Sequence, residues 1–356
     1  MLPRSLRAHV LALLTAAAVA VTASATLDPE QAVAGPQAAA SPATSSAPPS
    51  VTSPTAAPAA APAGRATDPL RTRALFVDDR MPAVLEGESR HAPIAKKAQA
   101  LWLGIDYYPT DRVRGIVQEY VGRAAAARRT PVLVAYSIPD RDCGQHSSGG
   151  AADAAAYKAW IKEVAAGIGS TKPMVVVEPD AIPFIGSPGC ADADEHLALL
   201  RFAVKRLAAA GAWVYLDAGH SAWPADGRAL LLKRAGVGLA RGFATNVSNF
   251  RSLADELAYG ALLRKELRAL GVTGVKQVVD TSRNGAKQPV TGDVINPTWA
   301  RVGKAPTMVL AGGLDATLWV KHPGESDGAV NGGAAAGRWC DLLADRLLGL
   351  PETSGC

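Results

Sequence analysis

Carboxylates collect at three places in this chain, each just downstream of a short apolar run. "PVLVA" (131–135) leads into "YSIPDRDCGQHSSGG" (136–150), which carries Asp140 and Asp142. "MVVVE" (174–178) ends on Glu178 and is followed by Pro179 and Asp180, and "TLWVK" (317–321) leads into Glu325 and Asp327. Apolar, β-branched runs of this length read as buried strands. A turn needs Gly and Pro; it does not need Asp-Arg-Asp-Cys. One acid pair alone is accounted for by solvated loop carboxylates or helix N-caps. Three pairs at matching strand ends point instead to general acid–base work. Glycoside hydrolysis uses two carboxyl groups, one of them kept protonated near neutral pH by burial or by nearby negative charge. Trp102 and Trp223 would offer stacking faces to sugar rings, the alternative for each being ordinary core packing.

Other chemistries leave no comparable mark. There is no G-x-S-x-G elbow, no GxGxxG after a first strand and no P-loop. The D-x-D-x-D spacing of a hard-cation cage is absent, as are CxxC and His-rich zinc spacings. "GVTG" and "AGG" read as turns.

Strands must carry these acids, and apolar runs recur to supply them: 74–78, 101–104, 131–136, 174–178, 213–217, 242–245, 276–280 and 317–321. Helical stretches lie between, at 155–168, 194–211 and 252–271, the last two ending on Gly211 and Gly271 as C-caps. Alternation of this kind argues for a parallel sheet, and seven or eight units favour a closed barrel over an open sheet. In such barrels the working residues sit at the C-terminal strand ends. Tyr136, Asp142, Glu178, Asp180, Asp217, His220, Asn246, Asp280, Arg283, Lys321 and Asp327 are therefore expected to converge on one face.

Residues 1–25 have the form of an export signal: Arg4 and Arg7, an apolar run from Val10 to Val21 too short to span a bilayer, and Ala23-Ser24-Ala25 for cleavage. Residues 26–67, almost entirely Ala, Pro, Ser and Thr, read as a disordered linker. Residues 68–356 are long enough for one large domain with a sizeable core. The formal charge of the 356 residues is +5, and loss of Arg4 and Arg7 with the signal leaves +3. So mild a balance, spread along the chain, implies no nucleic-acid partner. The four cysteines, Cys143, Cys190, Cys340 and Cys356, are expected to form disulfides in an exported protein, with three pairings open.

The segments "YSIPDRDCGQHSSGG", "VVVEPD", "VYLDAGHSAWP", "GFATNVSNF", "VVDTSRNG" and "LWVKHPGESDG" occur in the order found in glycoside hydrolase family 6, and the chain resembles that family's secreted bacterial endoglucanases over nearly all of residues 70–345. The resemblance implies a distorted α/β barrel of seven to eight parallel strands, an inverting hydrolysis of β-1,4-glucan, and no metal or organic cofactor. It implies an extracellular monomer whose partner is its polysaccharide substrate. On this resemblance Asp180 is the general acid, Asp142 raises the acid's pKa and assists the attacking water, Ser148 holds that water, and Asp327 is at the position proposed for the base. Tyr136 lies under the distorted sugar ring. Trp102, Asp217, His220, Trp223, Asn246, Asn249, Lys321 and Glu325 belong to the sugar-binding cleft. Cys143 is expected to bond Cys190, bracing the two acid-bearing loops.

The chain departs from the family where a Trp-Cys-Asn or Trp-Cys-Asp segment is usual: it has Val294-Ile295-Asn296, and Ala329 where the partner cysteine would be. One sugar-stacking face and one brace of the Asp327 loop are thus missing, leaving Cys340 free to pair with Cys356. The stretch after Asp327 is too short to roof a tunnel, so an open cleft and endo cleavage are expected. A cellobiohydrolase and a catalytically impaired glucan-binding protein are the alternatives.

Overall fold

The computed structural model describes residues 73–144, 147–187, 190, 192–223, 227–287, 290, 294–352, 355 and 356. The expected signal (1–25) and linker (26–67) lie outside the described residues. Eight strands are present among the latter: β1 Leu101–Leu103, β2 Val132–Ala135, β3 Met174–Val177, β4 Trp213–Asp217, β5 Gly242–Thr245, β6 Lys276–Asp280, β7 Thr307–Ala311 and β8 Leu314–Leu318. The α-helices are α1 Pro82–Leu85, α2 Ala92–Ala95, α3 Thr110–Ala126, α4 Ala154–Ile168, α5 Ala193–Ala209, α6 Arg228–Arg234, α7 Leu253–Ala269 and α8 Asp341–Leu348.

Three of the four long helices, α4, α5 and α7, start at side chains that satisfy their free N–H groups, whereas α3 follows Pro109 with no side-chain cap. Asp153 accepts from Ala156 N, Asp192 from Asp194 N and Glu195 N, and Ser252 from Asp255 N. Helices α5 and α7 stop just before Gly211 and Gly271, whose φ angles of +88° and +80° only glycine adopts freely. Along α4, Tyr157, Trp160, Ile161, Val164 and Ile168 recur at the 3–4-residue spacing of one helix face and are wholly buried against the sheet and its neighbours.

The strand order is β1-β2-β3-β4-β5-β6-β8-β7. All neighbours are parallel except β7 and β8. Side chains alternate between the two faces, and both faces are buried. Val132, Val134, Met174, Val176, Tyr215, Val278 and Leu318 pack inside the curl. Leu133, Val175, Val177, Val214, Leu216 and Phe243 pack outward, in the cluster that takes in the helices. This is why the strands read as unbroken apolar runs rather than as alternating ones.

The distorted β/α barrel is thus present as seven parallel strands, with two corrections. The run 74–78 is no strand; it makes a single bridge, Leu75 to Thr130. The segment 307–311, passed over as a strand, is the antiparallel β7, joined to β8 by Gly312-Gly313, both at positive φ. It takes the edge of β8 that β1 would occupy in a closed barrel. The sheet closes only beyond that hairpin, where Ala100 N donates to Trp319 O (3.1 Å) and Trp102 Nε1 to Val320 O (2.7 Å). Disulfides join Cys143 to Cys190 and Cys340 to Cys356.

Candidate active site

Four buried side chains at strand ends hold the loops on which the remaining site residues stand. Glu178, after β3, accepts from Ser137 N (2.8 Å) and Ile138 N (3.0 Å) of the loop after β2, and from the Tyr157 hydroxyl (2.9 Å). Asp217, ending β4, accepts from Asp180 N (2.9 Å) in the loop after β3. Asp280, ending β6, accepts from Ser248 N of the loop after β5 and from Val320 N and Lys321 N after β8. Asn246, after β5, reaches forward to Asp280 O (2.8 Å) and accepts from Arg251 N (2.9 Å). Each of these four therefore fixes an adjacent loop by charge-assisted or amide hydrogen bonds. Asp217 and Asn246, expected in the sugar-binding cleft, are both buried; Asn246 spends its amide on backbone, while Asp217 uses Oδ2 on backbone and leaves Oδ1 without a hydrogen-bond partner among the described residues.

Asp180 stands on a loop in left-handed backbone (φ +68°), as do Asp140 (+52°) and Asp142 (+59°) across from it. Asp tolerates this conformation better than most side chains, because its short polar group bonds locally. Burial pushes the Asp180 carboxyl well above the usual carboxylate range, and the neighbouring Asp217 and Asp142 charges push it further. Burial raises Asp217 as well. Glu178 is lifted by burial to about 7 against the pull of its three donors. The phenol of Tyr136 is held protonated by burial and by Asp180 and Asp142. Its ring meets Trp102 edge-on at 5.3 Å and carries the Arg141 guanidinium 4.4 Å above its centre. Arg141 in turn bonds Tyr136 O and Ser147 O (2.8 Å each), and Asp142 accepts from Ser147 N (2.6 Å). Ser148 is exposed on this loop. The Cys143–Cys190 bond ties it to the stretch after Asp180.

The opposite charge logic governs Asp327. Burial alone would raise its carboxyl, but Arg283 (Nη1, 2.5 Å) and Lys321 (Nζ, 3.1 Å) override burial and hold it at about 2. Arg283 also donates to Ser248 O and lies 4.5 Å over the Phe250 ring. Glu325, expected in the sugar wall, faces His322 Nδ1 at 2.5 Å. Burial opposes charge on both, yet the pairing raises His322 and lowers Glu325. With His322 Nε2 2.6 Å from Ala100 O, the pair anchors this loop to the first strand.

On the far side, His220 and Trp223 lie ring against ring, 4.2 Å between centres and 34° apart. Burial and the charges of Arg251 and Arg228 lower His220 to about 4, so it is neutral near pH 7. Its Nδ1 accepts from Ala222 N (3.2 Å), which leaves the proton on Nε2. Asn249 is half-buried, its amide donating to Val247 O.

Sequence reasoning expected Glu178 and Arg283 at the converging strand ends but assigned neither a role, and it assigned none to Asn296. The first two stand at strand ends inside motifs already singled out, "VVVEPD" and "TSRNG". Asn296 lies in an irregular segment between β6 and β7, and its one signal is that it keeps the Asn of the usual Trp-Cys-Asn where the two residues before it differ.

The family model described as "Glycosyl hydrolases family 6" matches residues 77–349. The chain is 44% identical over 253 residues to Endoglucanase A of Cellulomonas fimi, covering 70% of this chain and 54% of that protein; it spans about half the length of that relative. It is 38% identical over 306 residues to Endoglucanase 1 of Streptomyces halstedii, covering 82% of this chain and 93% of that one. The structure of the endoglucanase Cel6 from Mycobacterium tuberculosis in complex with methyl-cellobiosyl-4-deoxy-4-thio-β-D-cellobioside superposes with a TM-score of 0.72 at 37% identity, over 79% of this chain and 98% of that one. A curled parallel sheet whose strand ends gather enclosed carboxyls and a cation-paired carboxylate, matched by the family model along 77–349, places this protein in glycosyl hydrolases family 6.

Proposed function

We propose that the chain is a secreted endo-β-1,4-glucanase that hydrolyses cellulose or related glucans with inversion. The observation that carries this reading is the contrast between Asp180, kept protonated by burial and by Asp217 and Asp142, and Asp327, kept ionised by Arg283 and Lys321. Environments that push two carboxyls apart in pKa divide acid from anion. Asp180 protonates the departing glycosidic oxygen. Asp327, held at about 2 between two cations, is a feeble proton acceptor. The attacking water therefore passes its proton toward Asp142, through the exposed loop that carries Ser148. Asp327 supplies fixed negative charge beside Arg283 and Lys321.

Tyr136 lies beneath the reacting ring with its hydroxyl protonated. Trp102 spends its N–H on Val320 O and so offers the sugar only its ring. His220, neutral, offers an Nε2–H donor next to Trp223. The Mycobacterium enzyme binds a thio-oligosaccharide of the cellobioside type, which supports a glucan ligand for this chain. Endo cleavage is supported by the segment after Asp327, which folds back on the body: Arg346 of α8 donates to Asn331 O, and Asn331 Nδ2 to Ile295 O (2.8 Å). The two disulfides fit an oxidising, extracellular setting, to which the signal at 1–25 would direct a chain whose linker at 26–67 spaces the catalytic domain at 68–356.

One observation favours a second reading. Val294 is 44% exposed at the position where the resemblance expects a stacking tryptophan, which suits a glucan-binding protein that has lost catalysis. Proton NMR of cellohexaose hydrolysis separates the readings. Early α-anomer product with internal cuts supports the endoglucanase. Release of cellobiose alone from one end makes it a cellobiohydrolase. Binding without product leaves the impaired binder.

A further inference from the structure

The loop that presents Asp327 has little regular structure to hold it. From Ser326 to Arg338 it makes no strand or helix, and much of it is exposed. Yet Asp327 must keep its carboxylate between Arg283 Nη1 and Lys321 Nζ, which come from two different strand ends. One buried side chain from outside the loop grips it at several points. Asn296, 4% exposed and itself in left-handed backbone (φ +48°), accepts through Oδ1 from Asp327 N at 2.7 Å. Its Nδ2 donates to Gly328 O (2.7 Å) and Val330 O (2.9 Å), with Ser326 Oγ further off at 3.4 Å.

That set uses both amide hydrogens and the carbonyl. Only a primary amide can accept from one backbone N–H and donate to two backbone carbonyls at once from a single planar group. An Asp there would turn a donor into an acceptor facing two carbonyls, and an Ala would strand all three backbone groups in a buried place. The surroundings leave no slack. A Cβ on Gly333 would come within 2.2 Å of Asn296 Nδ2 and 2.5 Å of Ser326 Oγ. Ser326 Oγ continues the clamp, donating to Ala334 O (2.8 Å) and accepting from Gly328 N (3.1 Å). The backbone at Asp327 is thus tied outside its own segment through Asn296.

We propose that Asn296 is a positioning residue for Asp327: its amide fixes the backbone at 327–330, so that the carboxylate stays seated between Arg283 and Lys321 during glucan hydrolysis. This rests on the hydrolase reading above and deepens it. Asn296 touches no substrate; it acts through where Asp327 is held. A displacement of about 1 Å in a reacting constellation costs up to roughly a hundredfold in rate.

The test is a double-mutant cycle on cellohexaose with the full chain: wild type, Asn296→Ala, Asp327→Asn and the pair. The expected result is a kcat loss of roughly tenfold or more for Asn296→Ala with KM within about twofold. In the Asp327→Asn background the same change should cost less than about twofold, since its route of action is gone. Asn296→Asp keeps the side-chain shape; it repeats the cycle if the alanine variant fails to fold. Multiplying losses, or a kcat for Asn296→Ala near wild type, overturns the proposal. So does a wild-type kcat for Asp327→Asn, which removes Asp327 from the reaction. Hydrogen exchange is the readout independent of catalysis. The Asp327 and Gly328 amides should exchange faster in both Asn296 variants while those of β6 do not change; unchanged exchange at 327 overturns the proposal. A wild-type chain that releases no product sinks the hydrolase reading alone, and the exchange data then decide the role of Asn296.

Discussion

Glu178 lies wholly inside the protein, and its carboxyl titrates at about 7 instead of 4.5 because burial disfavours the charge. Replacing it by Gln removes the titration and keeps the bonds. The Gln carbonyl can accept from Ser137 N and Ile138 N, and its amide can donate to the Tyr157 hydroxyl, which rotates to accept. A carboxyl whose pKa is raised on folding holds a proton in the native state that the unfolded chain has already lost. Its contribution is complete below pH 4.5 and disappears as pH rises through 7. A displacement of that size corresponds to about 3 kcal/mol. The wild type should thus lose about 3 kcal/mol between pH 4.5 and 8 that Glu178→Gln does not lose, roughly 5 °C in Tm for a domain of this size. Asp180, Asp217 and Asp280 are also raised by burial and tilt both proteins alike, so the quantity to measure is the difference between the two unfolding curves at each pH. Calorimetry or urea unfolding at pH 4.5, 6, 7 and 8 supplies it. A gap between wild type and variant that stays constant from pH 4.5 to 8 would refute the reasoning, because Glu178 would then titrate in the folded protein as it does in the unfolded chain.

Asp180→Ala should reduce hydrolysis of cellohexaose by roughly a thousandfold while leaving the melting curve in place, the scale of losing a general acid; substantial surviving turnover removes Asp180 from that role. Arg283→Met leaves Asp327 buried with Lys321 as its one ion-pair partner, and should destabilise the fold by about 3 kcal/mol or more at pH 7, read by urea unfolding. The same substitution should flatten the loss of stability seen as pH falls toward 2, since the carboxyl lowered by Arg283 and Lys321 contributes stability above its unfolded value of 3.8 that fades as pH drops through about 2. Gly219→Ala sets a Cβ 2.4 Å from Trp223 Cε3 at a residue with φ +76°; displacement of that ring should raise KM for cellohexaose more than it lowers kcat. Removing the Cys143–Cys190 bond by a double Ser substitution opens a loop of 47 residues; chain entropy sets the expected loss at about 4 kcal/mol, read as a lower Tm.

The sheet was legible in the sequence because a parallel strand covered on both faces must be apolar throughout, and such runs end visibly where the chain meets solvent or chemistry. Six of the parallel strands and helices α4, α5 and α7 fall within two residues of their expected positions, β8 lies three residues before the expected run 317–321, and the long helix α3 was not singled out. The hairpin strand β7 escaped notice because it is half-exposed, with Gly312-Gly313 beside it, and carries no buried run. The run at 74–78 misled for the opposite reason: it is apolar, but pairs with its neighbour only at Leu75.

At the site, the types and order of the acids belong to the sequence, while their protonation does not. Asp142, Glu178, Asp180, Asp217 and Asp327 are equivalent carboxyls when written as letters. What separates them is the set of groups each one meets, and those groups are remote along the chain: Asp217 lies 37 residues from Asp180, and Arg283 lies 44 from Asp327. Curling the sheet brings these partners together and removes water from around them. Only then is the Asp180 carboxyl pushed well above the usual range while Asp327 keeps its charge in spite of burial, and only then do Asn246 and Asp217 become buried supports. A pKa is the free-energy difference between two charge states in a particular place, and the place exists only in the folded chain.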